Sequence, residues 1–362
     1  MLKDAVNIPV FIGHNIFSPE DAEKMLAEGN ADFVALGRSQ LADPAWAKKA
    51  KEGRASDIKP CINCLIGCID RGMLSHTPIH CTVNPSLYRF ECKPVEKAET
   101  RKQVAVVGAG PAGCEAALTA SKRGHQVTIY EKRCIGGAMI EASKPENKAN
   151  IKRLIHYYED HIMHDPNITL VKEEVEYETL VHSGYDAVII AVGGKTRILN
   201  VPGIEKNSVI YASDYLNGST AVTGNTVVVI GGGITGAETA LELNAEGKKV
   251  TIVEMTDAFL ANFSSACQAY LATINETDIK ILTGKRLTAV HENNVILTDR
   301  WGNKTTVPAD SVVIAAGFTR QNELSDKLEE NTDMQVFNVG DSKRVRQIYD
   351  AIHEGFIAAR QI

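Results

Sequence analysis

The sequence predicts an α/β protein with parallel sheets, and three observations carry the prediction. Apolar strand-length runs alternate with helical patterns along the 362 residues, the order that gives parallel strands. The stretch "QVAVVGAGPAG" (103–113) returns 123 residues later as "TVVVIGGGITG" (226–236). The flanking runs repeat as well: "HQVTIYEK" (125–132) is echoed by "KKVTIVEM" (248–255), and "YDAVIIAVGG" (185–194) by "DSVVIAAG" (310–317). An internal duplication accounts for all three pairs.

Composition narrows the setting. A hydrophobic fraction of 44%, a charged fraction of 23% and a net charge of −6 are those of an ordinary globular chain, and give no reason to expect nucleic acid or an anionic membrane as partner. The longest apolar runs are strand-length, far short of the ~20 residues of a membrane span. The N-terminus "MLKDAVNIPVFIG" has neither a long apolar region nor a small-residue cleavage site, so a cytoplasmic setting is expected. There, closely spaced cysteines signal metal or redox chemistry before structural disulfides.

In chain order, "NIPVFIG" (7–13) reads as a buried parallel strand. Ser18-Pro19-Glu20 then opens a helix, with Ser18 as cap and Pro19 in the first turn; Ala22, Met25 and Leu26 form its apolar stripe, and Gly29 ends it. "ADFVALG" (31–37) is the next strand, and Asp43-Pro44 starts a helix running to about Lys51. A cysteine-rich segment and a charged linker, "KPVEKAETRK" (93–102), precede the first glycine turn. A charged helix follows at roughly 147–163.

Each glycine turn has the context that dinucleotide binding needs. Gly108, Gly110 and Gly113 follow a strand and open a helix, and Glu131 lies 23 residues beyond Gly108. The first glycine makes the tight turn, the second lets a pyrophosphate approach the backbone, and the third lets helix and strand pack; the helix N-terminus faces the phosphate charge. Glu131 can accept from a ribose hydroxyl. Gly231, Gly233 and Gly236 repeat the arrangement, with Glu254 again 23 residues on. An acid there repels a 2′-phosphate, which favours NADH over NADPH.

"PCINCLIGCIDRGMLSHTPIHC" (60–81) spaces Cys61, Cys64, Cys68 and Cys81 by two, three and twelve residues. Four thiolates can hold zinc tetrahedrally. Three crowded cysteines with a distant fourth are more typical of a [4Fe–4S] cluster than the two pairs of a zinc knot. Cys92 is a conceivable substitute ligand, but Cys81 fits the spacing better. His76 and His80 read as solvated loop residues or as groups bordering the cluster. Cys114, Cys134 and Cys267 stand alone, without the C-x2-C or C-x4-C pair of a thiol–disulfide reductase, and read as small buried hydrophobes.

The C-terminal stretch "VFNVGDSKRVRQIYDAIHEGFIAA" (336–359) brings a strand into Gly340-Asp341 and then a helix. From here back to residue 103, the chain resembles the two-dinucleotide-binding-domain flavoproteins. The resemblance implies that Gly108, Gly110, Gly113, Glu131 and Asp341 serve FAD, with Gly136 and Gly137 of "EKRCIGGAM" beside it. It implies that Gly231, Gly233, Gly236 and Glu254 serve the nicotinamide dinucleotide. At the other end, "IPVFIGHNIFSPEDAEKMLAEGNADFVALGRSQLADPAW" resembles the last two βα units of the FMN-binding TIM barrels of the old yellow enzyme family. That implies an FMN phosphate site at Gly13, Gly37 and Arg38, in the loops where such barrels bind phosphate; His14 departs from the family's pattern. The cysteine spacing matches the subgroup containing 2,4-dienoyl-CoA reductase, trimethylamine dehydrogenase and bile-acid enoate reductases, which carries one [4Fe–4S] cluster after the barrel.

The expected architecture is therefore α/β: the last two βα units of a TIM barrel (1–55), an iron–sulfur loop segment (56–92), the linker (93–102), and Rossmann-like domains for FAD (103–221 and 321–362) and NAD(H) (222–320). A whole barrel has eight βα units and about 250 residues, so the flavin cradle and the substrate-reducing residues are expected in a longer parent chain or a companion barrel polypeptide, with FMN bound only by the complete barrel. The family implies electron flow from NADH through FAD and the cluster to FMN, which reduces an activated C=C bond of a small-molecule substrate. Two rivals differ in kind: a non-catalytic subunit holding ADP in the second site, and a FAD-dependent NADH oxidase with zinc at the cysteines. A homo-oligomer is compatible with all of them.

Overall fold

The computed structural model describes residues 3–87, 94–261 and 264–362, and the chain forms two compact units. One comprises Met1–Ser143, Lys148–Gly193 and Gln321–Ile362; the other comprises Lys144–Asn147 and Gly194–Arg320.

In the first unit a five-stranded parallel sheet runs in the order Gln335–Asn338, Ala187–Ile190, Gln103–Val107, Gln126–Tyr130, Ile168–Val171. Its middle strand is apolar on both faces, and Val104, Ala105 and Val106 are fully buried, as helices covering both sides of a parallel sheet require. The helix Pro111–Arg123 leaves that strand through the first glycine turn and closes on Gly124 in the left-handed conformation. Its small residues admit the C-terminal helix Ile348–Gln361 so closely that a Cβ on Gly355 would stand 2.1 Å from the Ala112 carbonyl oxygen. The helix Ala149–His164 adds Leu154, Tyr158 and Ile162 to the same core.

The N-terminal residues of this unit form two short βα steps. Phe11–Ile12 and Phe33–Val34 pair in parallel, but the strands are far shorter than 7–13 and 31–37 and are not buried. Phe11 is 66% exposed and stacks on Phe33 at 4.7 Å. Among the described residues these two strands are bonded only to each other and have no flanking strands to bury them. Ser18 caps the helix Pro19–Ala27 as expected, in a reciprocal box with Asp21, yet none of that helix is buried. The next helix starts at Trp46, not Asp43, and ends at Lys51. Asp43 bonds the Ala45 N–H (2.9 Å) across Pro44, holding a turn between it and the short helix Arg38–Ala42.

The second unit repeats the design. Its parallel sheet runs Lys280–Leu282, Lys249–Val253, Thr226–Ile230, Ser311–Ile314, Val209–Tyr211, joined by an antiparallel sheet of Lys285–Val290, Asn294–Asp299 and Lys304–Pro308. The main segment of the unit begins at Gly194, before the expected 222: Val209–Tyr211 pairs with Ser311–Ile314, and Val201 and Ile204 pack into this unit's core. Among the described residues, no helix is long and apolar enough to cross a membrane.

Candidate functional site

The two glycine turns are built alike. Gly108 and Gly231 take φ of +100° and +120°, conformations costly for other residues. A Cβ on Gly113 would stand 1.9 Å from the Gly108 carbonyl oxygen, and one on Gly236 would stand 1.9 Å from that of Gly231. The middle glycines face space: nothing lies within 4 Å of a Cβ on Gly233, and only Gly137 Cα, at 4.0 Å, approaches one on Gly110. The backbone is thus open where a pyrophosphate would lie. Glu131 Oε2 accepts from the Ala109 N–H and Glu254 Oε2 from the Gly232 N–H, each at 2.7 Å. Their other oxygens accept from the N–H groups of Arg133 and Thr256. Each acid is fixed at its strand tip, beside its turn.

In the first unit, further elements converge on the same end of the sheet. A Cβ on Gly137 would come 2.9 Å from Gly110 Cα, which places the Gly136-Gly137 pair against the turn. A Cβ on Gly340 would meet Ala112 Cβ at 3.2 Å, so Gly340-Asp341 borders the turn from the other side. The Gly340 N–H donates to Glu354 Oε2 (2.8 Å) and the Arg346 N–H to Asp341 Oδ1 (2.9 Å). Burial holds the Asp341 carboxyl above its ordinary range, against the pull of the Arg346 N–H.

A duplicated pair of buried acids escaped the sequence reading. Glu115 and Glu238 each lie seven residues beyond the first glycine of their turn. Each accepts a tyrosine hydroxyl from a neighbouring helix, Tyr158 at 2.9 Å and Tyr270 at 2.6 Å. Aligning "AGCEAAL" with "TGAETAL" would have shown them. Glu115 additionally holds Lys59 Nζ at 2.6 Å, and Lys59 stands two residues before Cys61.

Cys61, Cys64, Cys68 and Cys81 line one cavity in the first unit, closed by Leu41, Ile62, Leu65, Val83 and Arg38. The segment between the first three turns sharply, with Asn63 and Leu65 in the left-handed conformation (φ 55° and 61°). Backbone hydrogen bonding from Asn63 pulls the Cys61 thiol down, that from Ile66 the Cys64 thiol and that from Val83 and Asn84 the Cys81 thiol, and the Thr82 hydroxyl lies 3.0 Å from Cys64 Sγ. Such donors stabilise thiolate and are a feature that tunes iron–sulfur clusters. Burial dominates the protein alone, pushing the Cys61 thiol up to about 11 and that of Cys81 to about 12. Among the described residues, no three His, Cys, Asp or Glu side chains are drawn together as for a metal ion.

Arg38 belongs to this cavity. Its guanidinium donates to Asn63 Oδ1, between Cys61 and Cys64, and to Asn15 Oδ1 (2.9 Å). Gly37, just before it, is open on the Cβ side, whereas a Cβ on Gly13 would touch Ala35 at 3.5 Å. His14 takes a left-handed conformation and is exposed. His76 is solvated, but His80 is bonded to Tyr349 (2.8 Å). Cys114 and Cys267 are buried as expected, whereas Cys134 is exposed, because it sits in the turn after Glu131 and outside the core. Cys92 lies outside the described residues.

Comparison with known proteins gives the family. The model of the pyridine nucleotide-disulphide oxidoreductases matches residues 102–355. The chain belongs to that family. Residues 1–57 of this oxidoreductase match a second model, the NADH:flavin oxidoreductase / NADH oxidase family. It is 39% identical to an NADH oxidase of Thermoanaerobacter brockii over its whole length and 56% of that protein's. It is 34% identical to a bilirubin reductase of Mediterraneibacter gnavus, covering 99% of this chain and 56% of that protein. A solved 2-naphthoyl-CoA reductase complex superposes with a TM-score of 0.90 at 30% identity, covering all of this chain and 55% of the other. The oxidoreductase thus spans a little over half the length of the curated relatives it matches.

Proposed function

We propose that the chain is the NADH-dependent reductase half of a flavin and iron–sulfur oxidoreductase whose complete form reduces an activated C=C bond of the enoate or enoyl-CoA type. The observation that carries this is the cavity lined by Cys61, Cys64, Cys68 and Cys81 in the same compact unit as the first glycine turn. Three cysteines crowded into eight residues with a distant fourth on the same cavity favour a [4Fe–4S] cluster over the two paired ligand sets of a zinc knot. When bound, FAD, a [4Fe–4S] cluster and a barrel-held FMN would supply the exchange of hydride pairs for single electrons.

The chain's own residues bind and orient. Gly110 opens the first turn to a pyrophosphate, Glu131 presents a carboxylate to a ribose, and Asp341 borders the same cradle from the end of the edge strand. Gly233 and Glu254 do the same for NADH, and the Glu254 carboxylate disfavours the 2′-phosphate of NADPH. Arg38 supplies positive charge beside the four thiols; its service to an FMN phosphate requires the rest of a barrel, from a parent chain or a companion polypeptide. The names of the 2-naphthoyl-CoA and bilirubin reductases support reduction of a conjugated double bond, and a cytoplasmic setting fits the thiol chemistry.

Anaerobic purification followed by iron, sulfide and flavin analysis and NADH titration tests the proposal. Stoichiometric FAD, about four irons with matching sulfide, and flavin bleaching by NADH are expected, together with NADH oxidation by an artificial acceptor. Zinc in place of iron would replace the cluster with the oxidase reading, and FAD that NADH cannot bleach would reduce the chain to a nucleotide-holding subunit.

A further inference from the structure

We propose that Tyr349 and His353, on the C-terminal helix, are positioning residues for Cys81 that set the redox potential of the cluster; this rests on the iron–sulfur reading of the four cysteines above. Cys61, Cys64 and Cys68 are fixed by one short, sharply turned segment. Cys81 arrives from a loop twelve residues away and needs its own anchor.

Two anchors hold it. On one side the His80 N–H donates to the Gly67 carbonyl at 2.6 Å, and a Cβ on Gly67 would stand 2.8 Å from the His80 carbonyl oxygen, so the chain beside Cys68 and the chain before Cys81 are in contact. On the other side His353, only 3% exposed, places Nε2 2.9 Å from the Cys81 carbonyl oxygen. A carbonyl only accepts, so His353 Nε2 carries the proton and donates. Tyr349, one turn earlier on the helix, stacks on the His353 ring at 4.0 Å and bonds His80 Nδ1 through its hydroxyl at 2.8 Å. The helix therefore holds this stretch at two points, the His80 side chain through Tyr349 and the Cys81 carbonyl through His353.

The same helix follows the Gly340-Asp341 turn and is locked to Ala112 through Gly355. One rigid element thus runs from the flavin cradle to the fourth cysteine. A hydrogen bond donated to the carbonyl of a ligand residue withdraws electron density from beside an anionic cluster and favours its reduction; such outer partners commonly govern both retention and tuning of a metal group.

The test uses the full chain, purified anaerobically, with His353→Leu, His353→Gln, Tyr349→Leu and Tyr349→Phe. Three quantities are measured: iron and sulfide per FAD, the rate of iron release to a ferrous chelator, and the cluster midpoint potential by EPR-monitored titration. His353→Leu and Tyr349→Leu are expected to release iron roughly 10- to 100-fold faster, and His353→Leu to lower the potential, with FAD content retained. His353→Gln, whose amide can donate from the same place, returns both values toward wild type. A potential unchanged or raised in His353→Leu, with wild-type iron release, overturns the proposal. If His353→Leu loses FAD and is misfolded, Tyr349→Phe decides, since it keeps the ring and loses only the bond to His80: faster iron release supports the role and wild-type release overturns it. Wild-type chain with FAD but no iron or sulfide sinks the cluster reading itself; a wild-type cluster indifferent to these changes sinks only the positioning role.

Discussion

Lys59 Nζ lies 2.6 Å from Glu115 Oε2, joining the start of the cysteine segment to the helix of the first glycine turn. Both side chains are nearly buried, at 14% and 8% exposure, and the Tyr158 hydroxyl donates to the same oxygen. The relation ties the segment that would hold a cluster to the helix that would hold a flavin phosphate.

Removing one partner of such a pair strands the other. Lys59→Ala should destabilise the chain by about 3–5 kcal/mol. The double change Lys59→Met with Glu115→Gln, which leaves no buried charge, should cost less than Lys59→Ala alone. Urea unfolding followed by circular dichroism makes the comparison; equal midpoints for Lys59→Ala and wild type would remove the anchor.

Gly113→Ala and Gly236→Ala place the same clash, 1.9 Å from a carbonyl oxygen, in different units. The first should abolish FAD retention. The second should leave FAD bound and abolish its bleaching by NADH. Flavin absorbance of the purified variants reads both, and the reverse pattern would exchange the two site assignments.

Glu254 carries the preference between nicotinamides. Glu254→Ala should move the ratio of NADPH to NADH affinity toward NADPH by about 10-fold or more, the worth of a charge-assisted hydrogen bond of about 1.5 kcal/mol. Gly232→Ala, whose Cβ would stand 2.7 Å from Glu254 Cβ, should weaken NADH binding by displacing the same carboxylate. Titration with each dinucleotide measures both; an unchanged ratio would place recognition elsewhere.

Asp310 offers a pH signature in the second unit. The Thr226 and Asn225 N–H groups donate to its carboxylate at 2.8 and 2.9 Å and hold its carboxyl below the ordinary range. The folded value is therefore lower than the unfolded one of about 3.9. The stability it contributes is full above the unfolded value and is lost as pH falls through the folded one. Between about pH 5 and about pH 3 the wild-type Tm should fall more steeply than that of Asp310→Asn. Parallel curves by calorimetry would exclude Asp310 from the acid response.

The sequence by itself determined the repeated unit. Glycines whose neighbours leave no room for a Cβ, apolar strands covered on both faces and acids at strand tips are local requirements, so Gly108 with Glu131 and Gly231 with Glu254 were legible from spacing alone. The four cysteines were legible as a set for the same reason, since three of them share one short turn. Tertiary structure decided what distance along the chain conceals. Pairing of Val209–Tyr211 with Ser311–Ile314 lies within the second unit, whose main segment begins at Gly194, because strand partners are chosen by edge complementarity and not by proximity in sequence. Packing turned Arg38 toward Asn63 and the thiols, and brought Lys59 to Glu115 and His353 to Cys81 across 56 and 272 residues. A lone lysine or histidine gives no periodic signal of its partner; burial forces each to find one, and only the folded chain shows which.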